Sequence, residues 1–336
     1  MINDTKREIK RHEHQFAGKH HEIDYLEYEE KKSSHLIVVL SGFNGKEAQG
    51  TPARYNYMRT LQDIKINKLF IKDEVDEVPV YYMGTKGTYS YMEDVCALIE
   101  QKLSEMGISK EQLIIAGSSK GGTGALLIGL EIGAGHIISA ANQLNVGTYL
   151  STMNAKLQDL MFNKMIGHNQ PEAKDIADSR FREKLLVDET ESRIYFHGGN
   201  QDTHYRQHMV PLLRHLDERG ILYELDLRGY VGHDNVKYYF PEYFVRKVRE
   251  IISSTSLERP RIEAKRDVTE IEVKVNNPTE HTDWAIYVYR KDGKITKIMY
   301  NKDHIHTVPL AYDAIKSVKV FLRVNGEKKR TINYSV

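Results

Sequence analysis

The stretch from Gln112 to Leu130, QLIIAGSSKGGTGALLIGL, limits what this chain can become. Leu113 to Ala116 form a short apolar run of the kind a buried parallel strand shows. Thr123 to Leu130 are small and apolar and read as a buried helix. Between them, Gly117-Ser118-Ser119-Lys120-Gly121 fits G-x-S-x-G. In that motif a sharp strand-to-helix turn lifts a serine out at the carboxyl end of a parallel sheet, and crowding in the turn calls for glycine on both sides. Ser119 is the candidate nucleophile; Ser118 lies one position too early. A glycine-rich turn with two incidental serines is the plainer alternative. A phosphate loop fits poorly, because Lys120 precedes the glycine pair and neither G-x-x-x-x-G-K-[ST] nor G-x-G-x-x-G is matched here.

The remaining chain is read for the partners such a serine needs. Leu36 to Leu40 give a buried-strand signal that runs into Ser41-Gly42-Phe43-Asn44-Gly45. A backbone N–H of Phe43 or Asn44 would form one half of an oxyanion hole, with the N–H of Lys120 as the other; an ordinary glycine loop is the alternative. The Lys120 side chain is expected on the surface or facing an anionic substrate. Lys68 to Lys72 read as the next strand. After Ser90, a plausible N-cap, Met92, Val95, Cys96, Ile99 and Leu103 recur on one helical face, where Cys96 packs as a small hydrophobe. His136 to Ala141 read as another strand. Residues 142–192 break the rhythm and are expected as a cap insertion, with a methionine stripe that reads as core.

Ser192 to His197 read as a strand that ends in Gly198-Gly-Asn-Gln-Asp202, and Asp202 stands where a triad acid would. Leu222 to Leu227 are the last strand of the series. His233 falls in the loop after it, before the final helix. Ser119, Asp202 and His233 thus occur in the order Ser…Asp…His, each past the carboxyl end of its own strand, which is the α/β-hydrolase arrangement. His204 and His208 are spaced like a zinc pair, but no glutamate follows His204 directly, and no metal or cofactor is expected. His197 could touch substrate. Asp234, adjacent to His233, is a poorer acid because neighbouring side chains seldom face each other in a loop.

From about residue 257 the apolar period becomes two: Ile271, Val273 and Val275, then Trp284, Ile286 and Val288, then Val318, Val320, Leu322 and Val324. Asp292-Gly293 and Asn325-Gly326 signal tight hairpins. The expected organisation is a polar, poorly ordered segment at 1–21, an α/β-hydrolase domain at 22–256 with an edge strand at Ile23 to Glu29, and an antiparallel β-sandwich at 257–336. The formal net charge of +1 gives no field that would favour nucleic acid or an anionic membrane. One cysteine rules out a disulfide framework. No apolar run reaches the length of a membrane span, and no secretory signal opens the chain, so a cytoplasmic protein is expected.

The motifs Leu40-Ser-Gly-Phe-Asn44, Gly117-Ser-Ser-Lys-Gly-Gly122, Gly199-Asn-Gln-Asp202 and Gly232-His233 resemble the hydrolase core of two related bacterial families over about residues 35–250. One is the accessory-Sec glycan O-acetyltransferase family, which acts on serine-rich surface glycoproteins. The other is the XcbB/CpsF-type family of capsular polysaccharide biosynthesis. The Ser-Lys-Gly-Gly elbow is the most distinctive shared element. The resemblance implies acyl transfer to, or deacylation of, a cell-surface glycan or its precursor, with protein partners in a surface-glycan biosynthesis or export system. A general carboxylesterase or peptidase of the same fold, and a non-catalytic assembly component, are the alternatives.

Overall fold

The computed structural model describes residues 2–43, 53–258 and 260–335. The chain divides into two compact units, Met1–Val248 and Arg249–Val336. The boundary falls inside a helix, earlier than the expected change at residue 257.

The first unit is built on an eight-stranded sheet. Its strands are β1 (Glu13–Ala17), β2 (Glu22–Tyr28), β3 (Leu36–Leu40), β4 (Asn67–Ile71), β5 (Leu113–Ser118), β6 (His136–Ala140), β7 (Arg193–Gln201) and β8 (Tyr223–Val231). The order across the sheet is β1-β2-β4-β3-β5-β6-β7-β8. From β4 to β8 every pairing is parallel; β1 and β2 add antiparallel at one side. The central strands are short runs of Leu, Ile, Val and Ala with every residue of β3 and β5 buried, as expected for strands covered on both faces.

The helices are α1 (Ile2–His12), α2 (Ser90–Met106), α3 (Lys120–Ile132), α4 (Val146–Leu150), α5 (Ala155–Met165), α6 (Ala173–Leu185), α7 (Val210–Glu218) and α8 (Val236–Ser253). One face of the sheet, carrying Leu36, Val38, Leu113, Ile115, Ile137 and Phe196, shares a core with apolar residues of α2, α3, α5, α6 and α7. Strand alternation turns His197 to the other face, where it meets Phe240 and Tyr243 of α8. The methionine stripe of the 142–192 segment is core: Met161 and Met165 are fully buried. The helical face read before α2 is also core, with Met92, Val95, Ile99 and Leu103 buried and Cys96 partly so, packed against it. Burial pushes the Cys96 thiol up to about 12. Ser90 is not the N-cap but the first helical residue after Tyr89.

The first 21 residues depart from expectation. They form α1 and β1, so β2 is an interior strand and β1 the edge. Little apolar content marks this segment; polar anchoring holds it. The buried Asp94 of α2 accepts the backbone N–H groups of Lys19, His20 and His21 at 2.7–3.2 Å, tying down the turn between β1 and β2.

The second unit is antiparallel. Its strands are β9 (Ser256–Leu257), β10 (Arg261–Lys265), β11 (Val268–Glu272), β12 (Val275–Asn276), β13 (Thr282–Arg290), β14 (Ile295–Asn301), β15 (Ile305–Val308), β16 (Ile315–Val324) and β17 (Glu327–Ser335). They form a four-stranded sheet β14-β13-β16-β17, a three-stranded sheet β10-β11-β15 and the small pair β12-β9. Leu257, Ile271 and Val308 share one core with Trp284, Ile286, Val318 and Leu322, which is sandwich packing. Asn325 and Gly326 both have positive φ (52° and 78°), as the two-residue turn between β16 and β17 requires.

Candidate active site

Crowding forces the turn between β5 and α3. A Cβ on Gly117 would lie 2.2 Å from the Gly121 carbonyl oxygen, and one on Gly121 would lie 2.3 Å from the Leu40 carbonyl oxygen. Only glycine lets α3 start this close to β3. Ser119 is bent to φ 55°, ψ −124°, a region a non-glycine residue enters at a cost of about 1–3 kcal/mol. Its side chain makes no helix cap, which leaves Oγ available at the carboxyl edge of the sheet. Ser118 is buried at the same cavity, and its Oγ is engaged by the Tyr57 hydroxyl at 2.6 Å.

The three residues predicted from separate strand ends meet. Ser119 Oγ is 2.8 Å from His233 Nε2, and His233 Nδ1 is 3.0 Å from Asp202 Oδ2. Asp202 is buried, and its Oδ1 accepts the His204 backbone N–H at 2.9 Å. Burial works to raise the Asp202 carboxyl, but the hydrogen bonds from His233 and the His204 N–H outweigh it and hold it below the ordinary carboxylate value. The carboxylate is thus charged and fixes the His233 Nδ1–H tautomer, leaving Nε2 to accept from Ser119.

A cavity of about 550 Å³ opens over Ser119 and His233, with Phe43, Tyr57, Tyr149, Arg54 and Lys237 in its wall. A second cavity of about 630 Å³ lies at the opposite, amino-terminal ends of β7 and β8, away from these groups. Phe43 stands at the site, in the loop after β3; Asn44 lies outside the described residues. Lys120 occupies the first position of α3, directly after Ser119.

The Lys120 side chain is neither on the surface nor facing the cavity. It is fully buried, with Nζ 2.9 Å from Asp73 Oδ2 and 3.3 Å from the Asp73 carbonyl oxygen. Asp73 Oδ1 in turn accepts from the Val80 and Tyr82 N–H groups. The Tyr82 hydroxyl contacts Ser41, two residues before Phe43, at 3.0 Å between hydroxyls. The buried charge therefore braces the elbow against the loop that carries Phe43. A lysine beside a serine reads as solvated by default, and no sequence signal links it to Asp73.

Other expectations change as well. His197 does not reach the cavity: β7 runs on to Gln201, so His197 is mid-strand, fully buried, and paired with Asp226 at 2.7 Å. The segment Tyr205–Met209 is a π-helical turn, and the rings of His204 and His208, at which no metal is expected, stand edge to face at 5.4 Å. His204 instead lies against His233, ring centroids 3.7 Å apart. Burial, and then the charge on His233, push His204 down to about 3. Among the described residues, Asp202, His204 and His233 are the one cluster whose donor atoms lie close enough, within 4.8 Å, to hold a cation. Two of these, Asp202 and His233, already bond to each other, and His233 bonds to Ser119, so a cation there would dismantle the Ser–His–Asp line.

Gln143, Tyr57 and Tyr149 were not anticipated. Gln143 follows β6 at the same sheet edge as Ser119, and that position past a strand end was the available signal.

By sequence the chain matches no protein-family profile and no curated protein. Solved structures do match it. The capsule O-acetyltransferase of Neisseria meningitidis serogroup A aligns with a TM-score of 0.57 at 21% identity, over 70% of this chain and 94% of that one. A histidine-to-alanine variant of that transferase has been solved in complex with CoA. A Glycosylation Associate Protein complex from Streptococcus agalactiae aligns at 0.59 and 19% identity, over 72% of this chain and 46% of that one. FphF, a fluorophosphonate-binding serine hydrolase of Staphylococcus aureus, aligns at 0.52 and 15%, over 72% and 98%. With a sheet parallel from β4 to β8 and a glycine-flanked serine elbow after β5, the chain has the α/β-hydrolase fold, joined to a C-terminal antiparallel β-unit.

Proposed function

We propose that this protein is a serine acyltransferase or esterase that works through an acyl-enzyme on a bacterial surface glycan or its precursor. The observation that carries the reading is the unbroken line from Ser119 Oγ through His233 to the buried Asp202, at 2.8 and 3.0 Å. Ser119 Oγ attacks an acyl carbonyl while its proton passes to His233 Nε2. The Lys120 and Phe43 N–H groups hold the developing oxyanion, and removing one such donor costs about 10²–10³ in rate. Collapse expels the leaving group, which takes the proton from His233. A sugar hydroxyl, or water, then gives a proton to His233 and attacks the acyl-serine, which restores Ser119.

The cations in the cavity wall, Arg54 and Lys237, are exposed and suit the phosphates of a thioester donor such as acyl-CoA. The CoA complex of the similar capsule O-acetyltransferase supports that donor class. The similarity to part of a glycosylation-associated complex supports a protein partner in a glycan-modifying system. Among the described residues no helix is long and apolar enough to cross a membrane; we propose that the protein acts in the cytoplasm.

A fluorophosphonate probe tests the chemistry. Wild type is expected to be labelled and Ser119→Ala is not; an unlabelled, well-folded wild type would overturn the reading. Acetyl release measured with and without a sugar acceptor then separates hydrolysis from transfer.

A further inference from the structure

One polar contact at the nucleophile is left unused by the triad. Gln143 lies just past the end of β6 and is fully buried. Its Nε2 is 3.2 Å from Ser119 Oγ and 3.3 Å from His204 Nδ1. Its other end is fixed to α3. Thr123, also fully buried, donates from Oγ1 to Gln143 Oε1 at 2.9 Å and accepts the Gln143 backbone N–H at 2.8 Å. The amide therefore bridges the helix that starts at the nucleophile and the strand end that faces it.

The donor count at Ser119 orients this amide. A serine hydroxyl has one proton, and His233 Nε2 at 2.8 Å receives it. What remains at Oγ is acceptor capacity, which an N–H can use and a carbonyl oxygen cannot. With Oε1 on Thr123, the second Nε2 proton is left toward His204 Nδ1, 3.3 Å away. Burial keeps His204 neutral, and its Nδ1 is also 3.3 Å from the Ala141 carbonyl oxygen, so it accepts from Gln143 in one tautomer and donates to Ala141 in the other. A neutral His204 lying against His233, with the rings tilted by 37°, also leaves His233 free of a second positive charge beside it.

We propose that Gln143 is a catalytic residue whose Nε2–H donates to Ser119 Oγ, holding the hydroxyl rotor toward His233 before attack and stabilising Oγ when it leaves. The inference rests on the serine acyl-enzyme reading. In acylation the Oγ–H bond breaks, the proton goes to His233 Nε2, and the Oγ–C bond forms. In deacylation the C–Oγ bond breaks, its electron pair returns to Oγ, and His233 gives the proton back. Gln143 transfers no proton; it offers a hydrogen bond to Oγ in both steps, most strongly where Oγ carries charge.

The test compares Gln143→Met, which keeps the bulk and removes the donor, with Gln143→Glu, which keeps the shape and turns the donor into an acceptor. Turnover of p-nitrophenyl acetate gives kcat and KM, and melting temperature is followed alongside. Gln143→Met is expected to lower kcat about 10- to 100-fold with KM within about twofold, and Gln143→Glu at neutral pH about 10²- to 10³-fold, because a carboxylate competes with His233 for the Ser119 proton. Wild-type kcat in both variants overturns the proposal. So does a Gln143→Glu variant that keeps wild-type kcat while Gln143→Met loses it, since shape alone would then suffice. If either variant fails to fold, Thr123→Val, which leaves Gln143 in place and releases its amide, is expected to lower kcat about 10-fold, and an unchanged kcat counts against the proposal. Ser119→Ala run in parallel separates the two levels: if it still turns over ester, the acyl-enzyme reading itself fails, whereas its inactivity beside unaffected Gln143 variants sinks only this inference.

Discussion

The strand pair β7–β8 carries two histidine–aspartate pairs, and they behave differently. His197 and Asp226 are direct cross-strand partners, Nδ1 to Oδ2 at 2.7 Å. Asp202 and His233 lie past the ends of the same two strands, Nδ1 to Oδ2 at 3.0 Å. By distance alone the first pair is the tighter one. Its imidazole is sealed among Tyr230, Phe240 and Tyr243, and among the described residues no hydrogen-bonding group meets its Nε2. The side chain of His233 keeps 24% exposure and turns its Nε2 to Ser119. A histidine–carboxylate pair inside the ladder can only hold the sheet together. The same pair displaced a few residues beyond the strand ends can face a third group and a substrate.

The largest test of that contrast is functional. His233→Ala is expected to lower kcat by about 10³-fold or more with the fold kept, because on the acyl-enzyme proposal Ser119 loses its base. His197→Gln is expected to leave kcat within about threefold and to lower the melting temperature, through loss of about 1–3 kcal/mol at a buried polar contact. An ester assay and thermal melt on each variant decide it; a catalytic loss at His197 with unchanged stability would erase the distinction.

Next in size is the buried ion pair Lys120–Asp73, both side chains of which are closed to solvent. Breaking it with Lys120→Met alone leaves a buried charge and is expected to cost about 3–5 kcal/mol, seen as a lower urea midpoint. The double variant Lys120→Met, Asp73→Asn is expected to recover most of that loss. Equal midpoints for the single and double variants would show that the pair is not what braces the elbow.

The buried histidines predict a pH dependence. Burial pushes His204 to about 3 and His208 to about 4, below the ordinary value of 6.5. As pH falls below 6.5 the unfolded chain takes up protons that the folded chain refuses. Their neutral burial is therefore harmless to stability above about pH 6.5, and stability declines toward pH 4 by up to about 1.4 kcal/mol per pH unit for each histidine. The melting temperature is expected to drop clearly between pH 7.5 and 5, and less so in His208→Gln; identical curves for the two proteins would remove His208 from the account. The smallest effect is expected at the neighbouring serine. Ser118→Ala loses the bond to Tyr57, about 1 kcal/mol of stability, and keeps turnover within about twofold.

Much of the fold and the Ser–His–Asp line could be read from the chain because they rest on local patterns. Buried parallel strands announce themselves as unbroken apolar runs, and glycines mark the elbow where backbones touch. The period-two stretch after residue 257 carried the antiparallel unit in the same way. Features set by distant polar contacts were silent. Asp94 holds the first strand connection through backbone N–H groups 73–75 residues away, and nothing in the composition of residues 1–21 says so. Lys120 and Asp73 are 47 positions apart and each reads as a surface charge. His197 was misplaced because β7 continues through Gly198 and Gly199, residues that look like the end of a strand. There the glycines make room instead: a Cβ on Gly199 would sit 2.3 Å from the Tyr230 ring.

The single cysteine has a practical consequence. Cys96 is packed against the core, and its thiol is held far from the thiolate form at neutral pH. The native chain therefore gives an almost silent background to thiol-directed reagents. A cysteine introduced in the exposed cavity wall, as in Lys237→Cys, could carry a fluorophore at one defined place without first removing a native residue. Entry of the proposed acyl donor or glycan acceptor could then be followed as an optical signal, separately from the chemistry proposed for Ser119.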